Sequence, residues 1–131
     1  KLYFLDVGLM TWLLGIRDVQ SIETHASRGA LFETWVVSEA FKQKFHNGQP
    51  ADLFFWRDSS GHEVDLLEET PDGLQATEIK SGTTFTSDWM VGLSKWRQIA
   101  GAAALHPTLV YGGDDSFERA QCAVRSWRNP Q

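Results

Sequence analysis

A tight turn between two alternating stretches is the feature that most constrains the fold of this chain. The turn is Thr70-Pro71-Asp72-Gly73, with proline at its second position and glycine at its fourth, an arrangement that β-turns favour. In residues 62–69, which precede the turn, apolar and charged side chains alternate, and residues 74–81 return as a second arm. Together they predict an antiparallel β-hairpin.

The register of this hairpin decides which side chains face each other. If Pro71 and Asp72 form a two-residue loop, Asp65 lies directly opposite Glu78, with the two Cβ atoms about 5 Å apart. A three-residue loop with a glycine bulge would shift the pairing by one residue. The two acids would then lie on opposite faces, unless a further bulge corrected the shift. The sequence leaves both registers open.

Helical patterns lie on both sides of the hairpin. Residues 28–46 have apolar side chains at helical spacing and are followed by the stop signal Asn47-Gly48. The predicted apolar face of this helix consists of Phe32, Trp35, Val36, Ala40, Phe41 and Phe45. A second helix is predicted over residues 87–100, with Trp89, Leu93, Trp96 and Ala100 as its apolar stripe.

Shorter elements complete the predicted order. The sequence predicts a helix at 9–14, a loop at 17–27, strands at 52–57 and 108–111, a helical turn at 116–119 and an edge strand at 121–127. The core is therefore helix, three strands, helix, strand. The 131 residues of the chain fit one domain, and residues 1–27 form an N-terminal extension to the core.

Composition excludes several classes of protein. The single Cys122 rules out a scaffold built on internal disulfides, and the four histidines lack zinc-ligand spacing. The net charge of −5 argues against a general nucleic-acid coat protein. No signal peptide or membrane span is recognisable, so we expect a cytoplasmic protein without a membrane partner. Because the chain begins with Lys1, we expect it to be a fragment of a longer protein.

Acidic residues are concentrated around the hairpin. Seven carboxylates occur between Asp58 and Glu78, with no lysine or arginine among them. Glu78 and Lys80 are two residues apart on a strand and therefore share a face. An acid and an amine so placed can bind a hard metal and orient a water or phosphate oxygen, although a simple surface ion pair has the same pattern. Glu33, near the edge of the helix's apolar face, is a third candidate acid and is either paired, solvated or metal-bound.

These motifs together resemble the PD-(D/E)XK nuclease-like superfamily, which has the restriction-endonuclease fold. The motifs are Gly29-x-x-Phe32-Glu33, Gly61-His62-Glu63-Val64-Asp65 and Glu78-Ile79-Lys80-Ser81-Gly82. Three segments resemble one subgroup more closely, the C-terminal domain of unknown function of prokaryotic AAA-type P-loop ATPases. They are residues 1–9, Phe55-Trp56-Arg57-Asp58 and Glu63-Val64-Asp65. The implied fold is α/β, a three-layer αβββαβ core around a mixed central sheet.

The resemblance also implies a chemistry. Asp65 and Glu78 would bind Mg²⁺ or Mn²⁺, the backbone carbonyl of Ile79 could add a ligand, and Glu33 would complete the site or bind a second metal. Lys80 would position the attacking water in the hydrolysis of a phosphodiester, with DNA favoured over RNA as substrate. The implied partners are DNA, an upstream ATPase domain of the same polypeptide and, in a third alternative, a second copy of the chain. A catalytically silent regulatory or docking domain is the alternative to an enzyme.

Overall fold

The chain folds as a mixed α/β structure in which helices dominate the first third and a six-stranded sheet the remainder. The computed structural model describes residues 1–130. Two units can be distinguished, divided between Ala51 and Asp52, and each is described separately below. The prediction that residues 1–131 form a single domain stays a prediction.

The N-terminal unit contains three helices, α1 (Val7–Leu13), α2 (Val19–Thr24) and α3 (Arg28–His46). The helix α1 confirms the short helix that was expected near residues 9–14. The loop predicted for residues 17–27 is wrong for the part that forms α2. Asp18 caps this helix, because its carboxylate accepts a hydrogen bond from the Ser21 amide at 2.8 Å and so satisfies a donor at the helix N-terminus.

The long helix α3 has the predicted bounds but a different buried face. Its buried residues are Leu31, Thr34, Val36, Val37 and Ser38, whereas Phe45 of the predicted apolar face is 68% exposed. Hydroxyl side chains can be buried here when they are hydrogen-bonded, as Ser38 Oγ is to the carbonyl of Trp35 at 2.8 Å. The spacing of large apolar residues alone therefore does not identify the buried face of this helix.

The C-terminal unit contains strands β1 (Leu53–Arg57), β2 (Glu63–Thr70), β3 (Gly73–Lys80), β4 (Thr108–Tyr111), β5 (Phe117–Arg119) and β6 (Cys122–Ser126). A 3₁₀ turn (Ser87–Met90) leads into helix α4 (Val91–Ala100), and a second one (Gly101–Ala103) follows it. The sequence α3-β1-β2-β3-α4-β4 confirms the predicted αβββαβ order.

The sheet is mixed, as the resemblance implied. Its strand order is β1-β2-β3-β4-β6-β5. The pairs β1–β2, β2–β3 and β5–β6 are antiparallel, while β3–β4 and β4–β6 are parallel. The helix α4 connects two parallel neighbours, β3 and β4, which need such a crossover.

The β2–β3 hairpin has the two-residue loop. The pairing runs from Thr70↔Gly73 to Leu66↔Thr77 without a shift. Of the two registers that the sequence left open, the structure has the one that would pair Asp65 with Glu78 at the position after Leu66↔Thr77.

Two predictions for the last strands are wrong. Residues 117–119 form strand β5 rather than a helical turn, and β6 lies inside the sheet, between β4 and β5, rather than at its edge. The reason is a hairpin whose loop, Ala120 and Gln121, has positive φ at both residues. Such loops normally contain Asn or Gly, so no residue at these positions indicates a turn.

One face of the sheet is covered by α4. Leu93 and Trp96 of this helix are 2% and 3% exposed, and they pack with a cluster of buried sheet residues. The cluster contains Val64, Ala76, Leu109, Tyr111, Cys122 and Val124. Within residues 1–130, no helix has the length and apolar character needed to cross a membrane.

Candidate functional site

The β2–β3 ladder and the β1–β2 ladder both become irregular near Asp65. The continuous pairing with β3 ends at Leu66↔Thr77. On the other side, β1 moves two residues from Phe54 to Trp56 while β2 moves three, from Leu67 to Val64. The extra residue on β2 is a β-bulge, which redirects a side chain relative to regular alternation. The bulge therefore lies at Asp65, next to the end of the continuous pairing between β2 and β3.

Asp65 is held between β2 and β3 through its side chain. Its Oδ2 accepts a hydrogen bond from the backbone N–H of Ile79 at 2.9 Å. In a continued ladder, this N–H would face the carbonyl of Val64. The carboxylate thus binds where strand pairing would otherwise continue, and Asp65 is only 6% exposed.

Glu78 and Lys80 form an ion pair on β3. Lys80 Nζ donates to Glu78 Oε1 at 2.5 Å. The side chain of Glu78 is 7% exposed and that of Lys80 is 34% exposed, and the other carboxylate oxygen, Glu78 Oε2, is also buried. A buried carboxylate is costly unless a cation or hydrogen-bond donors accompany it, so the ammonium stabilises the charged form of Glu78.

These three side chains line one cleft in the C-terminal unit. The cleft has a volume of about 290 Å³. Its other walls are the start of β2 and the segment that enters α4. The lining residues from those walls are Gly61, His62, Glu63, Asp88, Trp89, Val91 and Gly92. The structure therefore brings Asp65, Glu78 and Lys80 together at one cleft, while their roles in a shared catalytic site stay a prediction.

An Asp–His pair at this cleft was not predicted. His62 lines the cleft, and its Nδ1 lies 2.7 Å from Asp58 Oδ2. Its backbone N–H also donates to Asp58 Oδ1 at 2.9 Å. From sequence alone, His62 either joins the site or is a histidine in a surface turn, and the pattern favours the turn. The only available signal was the spacing of Asp58 and His62 across the turn Ser59-Ser60-Gly61.

The charge of Asp58 follows from this pairing. Desolvation acts to raise the pKa of the Asp58 carboxyl, but hydrogen bonds from the His62 side chain and backbone, together with the charge of His62, outweigh it. The pKa of Asp58 is therefore lowered from its usual value, and the carboxylate is ionised at neutral pH.

Glu33 belongs to the N-terminal unit. Its carboxylate Oε1 accepts hydrogen bonds from Lys1 Nζ at 2.9 Å and from the Tyr3 hydroxyl at 2.5 Å. Of the alternatives that the sequence left for this residue, the structure shows the paired acid. The role implied for Glu33 in completing a metal site stays a prediction, as does the role of the Ile79 carbonyl.

The two buried acids are of the type that Mg²⁺ or Mn²⁺ binds, since both ions prefer carboxylate and carbonyl oxygens. Within the described residues, 1–130, no group of three or more His, Cys, Asp or Glu side chains is arranged to hold a metal ion. Magnesium is usually bound by one or two carboxylates while retaining several waters. Asp65 and Glu78 fit that description in number and in chemistry.

Comparison with known proteins identifies a family. A family model described as "Domain of unknown function (DUF4143)" matches residues 28–128. Among curated proteins, similar chains are uncharacterized proteins of Mycobacterium bovis and Mycobacterium tuberculosis. Each is 27% identical over 124 residues, which represent 95% of this chain and 26% of the relative. This chain thus spans about a quarter of the length of these relatives.

No solved structure matches the chain. The family model covers most of the sequence, including every strand of the sheet and the lining of the cleft. On this basis, the chain belongs to the DUF4143 family of domains of unknown function.

Proposed function

We propose that this chain hydrolyses phosphodiester bonds in DNA with the help of Mg²⁺ or Mn²⁺, using Asp65, Glu78 and Lys80. The observation that carries the proposal is the meeting of two buried acids and a lysine in one cleft, at the point where the β2–β3 ladder ends. The resemblance to PD-(D/E)XK nucleases supports the same assignment, because Asp65, Glu78 and Lys80 occupy the positions of that motif.

Asp65 and Glu78 are the residues that would hold the cation. Each carboxylate has two oxygens, so it can accept a protein hydrogen bond on one and bind a cation with the other. The backbone carbonyl of Ile79 would add a neutral oxygen ligand. When bound, the cation supplies positive charge at the phosphate and lowers the pKa of a coordinated water.

Lys80 contributes a second positive charge. Its ammonium is held by Glu78, while the partial exposure of its side chain leaves it accessible from the cleft. From this position, Nζ can donate to a phosphate oxygen or to the attacking water and stabilise the charge that develops during hydrolysis. Glu78 therefore has two partners, the cation and Lys80.

The net charge of −5 makes tight DNA binding by this chain alone unfavourable. We therefore propose that another part of a longer polypeptide, an ATPase domain, delivers the nucleic acid. The much greater length of the mycobacterial relatives leaves room for such a domain.

The first experiment is a calorimetric Mn²⁺ titration, because it requires no choice of substrate. We expect the wild type to bind Mn²⁺ saturably and D65N and E78Q to lose the binding. D72N and E69Q are matched controls. They remove the same charges from exposed positions on the same hairpin and are expected to bind normally.

Cleavage of plasmid DNA with Mn²⁺ then tests the reaction itself, with D65N, E78Q and K80M as inactive variants and E69Q as an active one. An absence of Mn²⁺ binding in the wild type, or equal binding in D65N and D72N, would contradict the metal-dependent mechanism.

A second candidate function, docking onto an ATPase domain, is favoured by a different observation. Several large apolar side chains near the N-terminus are exposed: Leu2, Leu5, Leu9, Trp12 and Leu13. Exposed apolar side chains that lie close together mark interaction surfaces. We propose that they bind the ATPase portion of a longer polypeptide.

The docking proposal can be tested by titrating this chain with the separately purified remainder of a full-length family member. Binding should change the fluorescence of the exposed Trp12, and L9D should weaken it at least tenfold. Equal affinity of wild type and L9D would exclude these residues as the docking surface.

A further inference from the structure

One histidine, His62, belongs to the described lining of the cleft that contains Asp65, Glu78 and Lys80. It is held at two points by the same carboxylate, through its backbone N–H and through Nδ1. The turn that carries it is closed by two further hydrogen bonds, from Asp58 N to the His62 carbonyl at 3.0 Å and from Gly61 N to the Asp58 carbonyl at 3.2 Å. The imidazole is therefore fixed at the cleft wall.

The partner of Nδ1 determines how the ring can act. Asp58 is ionised, so its oxygens can only accept hydrogen bonds, and the bonded Nδ1 must carry a proton. Asp58 belongs to the turn and not to the lining of the cleft. Since His62 lines the cleft, the second ring nitrogen, Nε2, is then the one that can give up or take a proton there. A carboxylate that orients an imidazole in this way is a common arrangement for general acid–base catalysis.

We propose that His62 is the general acid of this site and protonates the leaving alkoxide oxygen through Nε2 as the phosphodiester is hydrolysed. The proposal rests on the proposed function and assigns a further catalytic residue to it. It concerns the leaving group, whereas Asp65, Glu78 and Lys80 serve the phosphate and the attacking water.

The reaction balances as a simple hydrolysis. The water oxygen forms a bond to phosphorus and releases one proton to solvent. The bond from phosphorus to the ester oxygen breaks, and its electron pair remains on that oxygen, which accepts the Nε2 proton. Solvent returns a proton to His62, so neither an oxidant nor a further reactant is needed.

The charged side chains that line the cleft are mainly acidic. Four acids line the cleft, Glu63, Asp65, Glu78 and Asp88, and Lys80 is a cation in the same lining. Glu63 is paired with Arg57 at 3.1 Å and Glu78 with Lys80. Acidic side chains thus outnumber basic ones in the lining of the cleft.

The leaving group provides the decisive test. A sugar alkoxide is a poor leaving group without a proton, whereas p-nitrophenolate departs without one. With Mn²⁺ present, we expect H62Q to cleave plasmid DNA about 10²–10⁴-fold more slowly than the wild type. We expect its hydrolysis of bis(p-nitrophenyl) phosphate to fall by less than about threefold, because general acid catalysis is dispensable there. Mn²⁺ binding by H62Q should be unchanged.

The matched control is H106Q. His106 also pairs with a carboxylate, Glu118, at 2.9 Å, but it lies outside the lining of the cleft, and its loss should change neither reaction. Unchanged DNA cleavage by H62Q, or an equal loss on both substrates, would overturn the role as general acid. A wild type inactive on both substrates would instead contradict the proposed function, and this inference with it.

Discussion

The ion pair of Glu78 and Lys80 sets a limit on what single substitutions in the cleft can show. Glu78 is buried and Lys80 is a third exposed, so the Lys80 ammonium compensates the charge of a poorly solvated carboxylate. Removing a partner from such a pair leaves a buried charge, which usually costs more than the pair itself contributes. A loss of activity in a Lys80 variant therefore has to be separated from a loss of stability.

We expect K80M to lower the free energy of unfolding by about 1–3 kcal/mol, the usual cost of leaving a buried polar group poorly satisfied. The double variant E78Q/K80M should regain most of this loss, because no buried charge remains. Urea unfolding of the wild type, both single variants and the double variant measures the coupling. Additive effects of the two substitutions would show that the pair is not energetically coupled.

The pair of Asp58 and His62 predicts a pH dependence. The pKa of Asp58 is lower in the folded chain than its usual value, so the folded state favours the ionised carboxylate. The stability that this provides is present above the unfolded pKa and is lost as the pH falls through the folded pKa. We expect D58N to be less stable than the wild type near neutral pH and the difference to shrink below about pH 4.

Thermal unfolding of wild type and D58N between pH 3 and 7 measures this difference. D72N, which removes an exposed turn carboxylate, serves as the control with no comparable trend. A constant difference between wild type and D58N across this range would contradict the prediction.

At the scale of elements, the close approach of α4 to β2 shapes the cleft wall. A Cβ built on Gly92, in the first turn of α4, would lie 2.1 Å from the backbone carbonyl oxygen of Glu63. A side chain there would force α4 and the start of β2 apart. Both residues line the cleft, so the absence of a side chain at Gly92 brings its two walls together.

We expect G92A to destabilise the chain by about 1–3 kcal/mol, as overpacking does. The direction of this change in stability is informative, because a substitution of glycine by alanine within a helix otherwise stabilises a protein by up to about 1 kcal/mol. S94A, at an exposed position of the same helix, is the control and should be neutral or slightly stabilising. Urea unfolding compares the two, and a stabilised G92A would show that helix and strand are not in close contact.

The elements that could be predicted from sequence are those with a local signal. The hairpin was marked by Pro71 and Gly73, and α3 by apolar spacing and Asn47-Gly48. The hairpin of β5 and β6 was missed because Ala120 and Gln121 adopt positive φ without the residues that usually indicate it. The small helix α2 was missed because it is only six residues long, too short for a periodic pattern.

The site could be predicted only in part for a similar reason. Alternation along β3 placed Glu78 and Lys80 on one face, and the turn offered a register that set Asp65 opposite Glu78. The bulge on β2 depends on pairing with β1, which is a tertiary contact that has no signature in the local sequence. The orientation of His62 by Asp58 likewise depends on the conformation of the turn.

At the scale of the whole molecule, the single cysteine connects the site to global stability. Cys122 is 3% exposed and belongs to the cluster beneath α4. Burial is the main cause that raises the pKa of its thiol to about 11. Thiol reagents attack the thiolate, so labelling at neutral pH requires the sheet and α4 to open. The labelling rate therefore reports opening of the C-terminal unit.

We expect Mn²⁺ to slow this labelling in the wild type, since a ligand that binds only the folded state stabilises it by RT ln(1 + [L]/Kd). At about 100 times Kd, the labelling rate should fall about 100-fold when opening is a rapid equilibrium. D65N should label at the same rate with and without Mn²⁺, whereas D72N should behave as the wild type does.

Protection of D65N would place the bound cation elsewhere, and no protection of the wild type would show that a cation bound at the cleft does not stabilise the sheet. Cys122 is on β6, which is separated from β3 by β4. Protection of the wild type and D72N, but not of D65N, would therefore demonstrate that binding at Asp65 is coupled to the folding of the sheet as a unit.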